Sequence, residues 1–160
     1  MQWSKITDII LVTAFAVLAV FAILGLYQWI KRKSLKKVDQ PLLAMLAPLS
    51  LMAVTYIIFD KFLVLNTRPN GSGEPSFPST HTMVVTTIFL LTAIVLPKYI
   101  KSKATVITLD ILMFTLTILV CVGRVLANMH WLSDVIGGLI FAAIFAVIYY
   151  LIIRRRNKHA

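Results

Sequence analysis

N-T-R-P-N-G-S-G-E-P-S-F-P-S-T-H, from Asn66 to His81, is the longest polar island in a chain of 160 residues that is 59% hydrophobic. Three of the six prolines (Pro69, Pro75, Pro78) and two of the six glycines (Gly71, Gly73) lie inside it. Proline removes a backbone donor and fixes φ, and glycine leaves the chain unrestrained. At this density neither a helix nor a central strand is stable, so the stretch is a loop. Arg68 stands near its start and His81 at its end, with apolar runs on both sides. A loop of this length without secondary structure of its own is either functional or disordered, and cations at both edges favour function.

The flanking runs settle the class. Mean hydropathy is +0.89, and soluble domains do not carry this share of apolar residues. Several runs reach the ~20 residues needed to cross a ~30 Å hydrocarbon core. The expectation is an all-α, polytopic transmembrane bundle of about five spans forming a single domain over 1–160. The spans read as 9–30, 41–65, 81–100, 104–122 and 134–153. Lys5 precedes the first run as in a signal peptide, but the run is too long for a signal core, and Lys31-Arg32-Lys33 follow it directly, so the span is retained. Pro41 suits a first helical turn, Pro48 is placed to kink the second span, and Ser79 and Thr80 are good N-caps for the third.

Charge then orients the bundle. The formal net charge is +10, from 16 Lys and Arg against 6 Asp and Glu. Such a balance suits nucleic acid as well, but here the cations flank apolar runs and read as membrane anchors, so no nucleic-acid partner is expected. Lys31, Arg32, Lys33, Lys36, Lys37, Lys98, Lys101, Lys103, Arg154, Arg155, Arg156 and Lys158 gather at one side, twelve of the sixteen. Lys5, Lys61, Arg68 and Arg124 remain at the other. The positive-inside rule puts the C-terminus in the cytoplasm and the N-terminus outside. The Asn66–His81 loop and a second polar break, Gly123–Ser133, then share the outer face of a cell membrane. Cys121 is alone, which excludes an intramolecular disulfide and a cysteine-based metal site.

At that face the helix ends carry Lys61, Arg68, Ser79, His81, Arg124, His130 and Asp134: three fixed cations, two histidines and one carboxylate. Cations beside a membrane are often plain anchors, whereas interfacial His and Asp are costlier to place. The set suits phosphoryl transfer. Arginine forks and a lysine point charge bind phosphate oxygens. His81 opens a helix, where free N–H groups attract anions. If their segment is helical, His130 and Asp134 share a face, so the carboxylate can hold the imidazole. A neutral imidazole can attack phosphorus, and a second histidine can protonate the leaving oxygen. No carboxylate cluster suits Mg²⁺ or Ca²⁺, and the cations repel zinc, so no metal is expected.

These residues resemble the type 2 phosphatidic acid phosphatases, the PAP2 or acid-phosphatase-like family. The family's K-x6-R-P is matched by Lys61 to Arg68-Pro69, its P-S-G-H by Pro78-Ser79-Thr80-His81, and its S-R-x5-H-x3-D by Gly123-Arg124, His130 and Asp134. The three motifs keep the family's order and spacing across Lys61–Asp134. The resemblance implies a metal-independent lipid phosphatase without a cofactor. His130 would be the nucleophile that forms a phosphohistidine, Asp134 its orienting partner and His81 the general acid. Lys61, Arg68 and Arg124 would hold the phosphate, with Ser79, Thr80 and nearby backbone N–H groups around it. Membrane lipid phosphates would be the substrates: undecaprenyl pyrophosphate, phosphatidylglycerol phosphate or phosphatidic acid. Undecaprenyl pyrophosphate is the first choice for an outward-facing site.

Gly123 stands where the family has Ser, so one phosphate hydrogen bond is either missing or supplied by backbone, and Thr80 stands where it has Gly, adding a Cβ beside the phosphate. Integral-membrane relatives commonly have six spans, so one N-terminal helix fewer is expected here. Asp110 is expected to pair with Lys101 or Lys103. Glu74 is a solvated loop carboxylate or a gate, Phe77 and Trp131 suit a lipid entry, and Gly137-Gly138 suits close helix packing. The rival from another class is a non-catalytic anion channel or transporter, which needs cations but not the His130–Asp134–His81 set.

Overall fold

A computed structural model describes residues 2–157, with side chains described as far as Arg155; Lys158 and the Arg156 side chain lie outside the described residues. The all-α, five-span expectation is borne out. The helices are α1 (Gln2–Arg32), α2 (Gln40–Ala44), α3 (Leu46–Ile57), α4 (Thr80–Tyr99), α5 (Lys103–Leu126) and α6 (Leu132–Asn157). Short α2, α3 and a π turn over Ile58–Phe62 run on as one span, Gln40–Phe62, so five helices are long and apolar enough to cross a membrane.

Each boundary has a local cause. Nothing before Ile9 breaks a helix, so α1 begins at Gln2 rather than at the expected 9, and Asp8 rides inside it. The second span breaks at Met45 rather than bending at Pro48 itself. The Pro48 ring excludes the carbonyl four residues back, that of Ala44, and offers it no N–H. The same span ends at Phe62 rather than 65, with Leu63 N–H donating to Ile58 O at 2.9 Å, the five-residue step of a π turn. The fourth span, α5, runs on to Leu126, past the expected 122, and α6 opens at Leu132, before the expected 134.

Helix α4 is the centre of the bundle: 67% of its apolar window is buried, against 17% for α1 and for α5. The other helices turn a broad apolar surface outward, as lipid-facing helices do. Two buried threonines on α4 satisfy their hydroxyls within the helix, Thr87 donating to Met83 O at 2.6 Å and Thr92 to Ile88 O at 2.7 Å, while the Thr86 hydroxyl has no partner among the described residues. An unpaired hydroxyl in an apolar core costs more than this local bond.

The bundle has a basic end and a site end. At the basic end Asp39 collects Arg32 at 3.3 Å, Lys98 at 3.7 Å and the Tyr99 hydroxyl at 3.0 Å, tying α1 to α4. At the other end two glycines permit close approach. A Cβ on Gly137 would meet the Phe77 ring at 2.4 Å, and one on Gly138 the Ser79 carbonyl at 2.9 Å. The approach expected of this pair is thus made to the polar loop and the start of α4. Phe59 closes the same corner edge-on against Phe77 and Phe141, at 5.6 and 5.5 Å.

Candidate active site

The polar island folds as a small hairpin. Arg68 N–H donates to Glu74 O at 3.0 Å, Ser76 N–H to Asn66 O at 2.9 Å, and Thr67 bridges Pro75. Gly71 and Gly73 reverse the chain at φ of 77° and 73°, a region open to glycine at little cost. The Trp131 indole N–H donates to Thr67 O at 2.9 Å, which fastens the hairpin to the link between α5 and α6.

That link carries His130. The four-residue spacing puts His130 and Asp134 on one face only if their segment is helical, and α6 begins only at Leu132, so His130 stands outside the helix. The two still meet, for another reason. Asp134 reaches back as an acid in the first helical turn does, its Oδ2 accepting from Trp131 N–H at 2.9 Å. Its Oδ1 accepts from the Asn66 side-chain amide at 3.2 Å. The carboxylate therefore lies 3.7 Å from His130 Nδ1, and that nitrogen donates instead to the Ser76 carbonyl at 2.9 Å. A carbonyl only accepts, so Nδ1 carries the proton and Nε2 is left with its lone pair. Arg124 Nη2 lies 3.4 Å from Nε2. Burial, and then the Arg124 guanidinium, hold the His130 imidazole well below the usual histidine range.

Helix α4 supplies the opposite wall. Its N-cap, Ser79, is fully buried, accepts from the Thr82 hydroxyl at 3.1 Å, and donates its N–H to Asp134 O at 2.9 Å. Thr80 and His81 open the helix and line a pocket of about 190 Å³ together with Arg68, Arg124 and His130. Tyr56, Phe59 and Phe77 form the apolar side of the same pocket. His81 Nε2 is 2.9 Å from Asp8 Oδ1 on α1. Arg124 Nη1 lies 3.4 Å from the Thr7 hydroxyl and 3.7 Å from Asp8 Oδ1. Arg68 pairs with Glu74 at 2.6 Å.

Of the residues expected at the site, Arg68, Thr80, His81, Arg124 and His130 share the pocket, with Asp134 packed behind His130. Ser79 is buried at the wall and does not line the cavity. Lys61 stays outside: its side chain is 71% exposed and pairs with Asp60 at 2.8 Å, while Asp60 lines the pocket. The π turn changes the helical register here and sets which of these neighbours faces inward.

The expected single carboxylate is corrected, because Asp8 and Asp60 also stand at this end. A lone acid near the head of an apolar run was the available signal for Asp8. The Ser76 carbonyl, a backbone atom, left no signal. Asp110 makes no ion pair with Lys101 or Lys103 among the described residues, and its Oδ1 is buried without a hydrogen bond.

Chemically, the pocket sets two guanidiniums beside an imidazole nitrogen with a free lone pair. The Nε atoms of Arg68 and Arg124 are buried without partners among the described residues, so both keep uncommitted donors. Thr80 and His81 add the backbone N–H groups of a helix start, which have no partner inside the helix.

The PAP2 superfamily model matches residues 11–158. The chain belongs to the PAP2 superfamily. It is a PAP2-type membrane phosphatase. No curated protein matches the sequence. Among solved structures, the first transmembrane PAP2 type phosphatidylglycerolphosphate phosphatase from Bacillus subtilis is similar in fold, with a TM-score of 0.67. It is 18% identical, over 96% of this chain and 76% of that one. In this PAP2 chain Gly123 stands against α1: a Cβ there would meet Thr7 Cγ2 at 2.7 Å and the Trp3 ring at 3.3 Å. That contact leaves little room for a side chain at this position of the third motif.

Proposed function

We propose that this PAP2 phosphatase hydrolyses a lipid phosphate or pyrophosphate through a phosphohistidine on His130, without metal. The observation that carries the reading is the His130 imidazole, protonated at Nδ1 by its bond to Ser76 O, with Nε2 beside Arg124. Nε2 attacks phosphorus while Arg68 and Arg124 take the charge on the phosphoryl oxygens. Asp134 sits close enough to stabilise the imidazole once it carries charge. His81 protonates the departing oxygen and then activates the water that frees His130. The apolar wall of Tyr56, Phe59 and Phe77 suits the first carbons of the lipid.

Undecaprenyl pyrophosphate is the preferred substrate. The basic end of the bundle supports a cytoplasmic C-terminus and an outward-facing site. Undecaprenyl pyrophosphate is released in the outer leaflet, and its leaving group is a phosphate, which departs more readily than an alkoxide. Phosphatidylglycerol phosphate or phosphatidic acid is the second reading, and the fold neighbour named for the former substrate supports it.

The leaflet test replaces Cys121, then sets single cysteines at Ser72 and Ser34 in intact cells. A membrane-impermeant thiol reagent labels position 72 and spares 34. The reverse pattern inverts the topology and removes the preference for undecaprenyl pyrophosphate. Phosphate release by purified protein from each lipid in detergent ranks the substrates directly.

A further inference from the structure

Beyond the three motifs, α1 brings a carboxylate to the site. Asp8 Oδ1 lies 2.9 Å from His81 Nε2, and 3.7 Å from Arg124 Nη1. Residues 8 and 81 stand 73 positions apart, so helix packing alone makes the pair. Thr7, the neighbouring residue, is fully buried and receives Arg124 Nη1 at 3.4 Å, which anchors this turn of α1 against α5. Asp8 does not line the phosphate pocket, whereas His81 and Arg124 do. The carboxylate thus meets both groups from outside the pocket lining.

We infer that Asp8 is a positioning residue for the general acid: it fixes His81 Nε2–H and keeps the imidazolium charged until Nδ1–H is handed to the leaving oxygen. The inference rests on the phosphohistidine reading given above. In the first half-reaction the bond from His130 Nε2 to phosphorus forms and the bond from phosphorus to the lipid oxygen breaks. That oxygen takes the proton from His81 Nδ1. His81 is left neutral, its remaining Nε2–H held by Asp8. A carboxylate on one ring nitrogen favours the charged ring over the neutral one.

The other charged groups around His81 act the opposite way or from further off. Arg124 from α5 and Arg68 from the hairpin bring positive charge to the pocket that His81 lines. Asp60 from the π turn and His130 line the same pocket, and Asp134 is packed beneath His130. Asp8 is the carboxylate within hydrogen-bond reach of the His81 ring among the described residues.

The test compares two leaving groups on the full-length protein in detergent. Phosphatidic acid releases an alkoxide that needs a proton, whereas p-nitrophenyl phosphate releases a phenolate that does not. Asp8→Asn is expected to lower kcat on phosphatidic acid by about 10- to 100-fold and to leave turnover of p-nitrophenyl phosphate within about 3-fold. Asp8→Glu restores part of the lost lipid turnover. Adding Asp8→Asn to His81→Asn protein brings no further loss, because the two act as one unit. Equal losses on both substrates would assign Asp8 to Arg124 and phosphate binding, and would overturn the inference, as would no loss on either. If Asp8→Asn does not fold, Asp8→Glu carries the same comparison, since it moves the carboxylate by one methylene. Wild-type protein that frees phosphate from neither substrate would remove the phosphohistidine reading and this inference together.

Discussion

His130 Nδ1 donates to the Ser76 carbonyl across 2.9 Å, so the loop that the prolines break is what sets the tautomer of the imidazole. The Asp134 carboxylate, at 3.7 Å from the same nitrogen, holds Trp131 N–H and the Asn66 amide instead. Orientation of the ring comes from a backbone carbonyl, with the acid beside it.

His130→Ala is expected to abolish phosphate release while leaving the protein folded, because it removes the attacking nitrogen. Asp134→Asn should cost about 100-fold or more, since it removes the charge beside a ring that becomes cationic. Phosphate release by purified protein in detergent, with a thermal melt as the folding control, measures both. Near-wild-type turnover in His130→Ala would end the nucleophile assignment.

The pH dependence has a definite sign. His130 is held below the ordinary histidine value of about 6.5 by burial and by Arg124, so the folded protein keeps it neutral where the unfolded chain takes a proton. Its contribution to stability is therefore complete above the unfolded value and is lost as pH falls from there toward the folded one. Thermal melts should drop on acidification through this window, and His130→Gln should flatten that part of the curve. In the proposed nucleophile role the ring stays unprotonated over the same range, so the His130 limb of kcat/KM is displaced to well below the ordinary value of ~6.5.

Activity should survive excess EDTA, and vanadate should inhibit. Arg68 and Arg124 already supply positive charge to the pocket, and each keeps a buried, uncommitted Nε donor. Loss of phosphate release on chelation, restored by added Mg²⁺ or Zn²⁺, would show that a cation does the work assigned to the guanidiniums.

Restoring the family's serine should harm this chain. Gly123→Ser puts a Cβ 2.7 Å from Thr7 Cγ2, and relieving that overlap costs about 1–3 kcal/mol of packing. A lower melting temperature is expected. Adding Thr7→Ser, which deletes the methyl in the way, should recover most of it. An unchanged melt for Gly123→Ser would mean that α1 does not press on this turn.

Most of the architecture was legible because membranes leave little choice: apolar runs of sufficient length must be helices, and the cations bracket them. The site was legible wherever a side chain carried the signal, as with Arg68, His81, Arg124 and His130. Lys61 could not be placed, since a π turn depends on how α3 meets its neighbours and not on a residue type. Asp8 escaped because it lies outside every motif. The Ser76 carbonyl escaped because backbone atoms are the same in every sequence.

The site is also closed by contacts between distant parts of the chain. Arg124 meets Thr7 across 117 positions, and Asn66 meets Asp134 across 68. Synthesis delivers the chain from its N-terminus, so Asp8 and His81 enter the membrane before Arg124 and Asp134 exist. Until α6 follows, the early charges lack late partners, and a buried carboxylate such as Asp134 has no settled place without the hairpin already formed. The last span to be made therefore completes the pocket end, and a chain interrupted before Asp134 would hold most of the bundle and no assembled pocket.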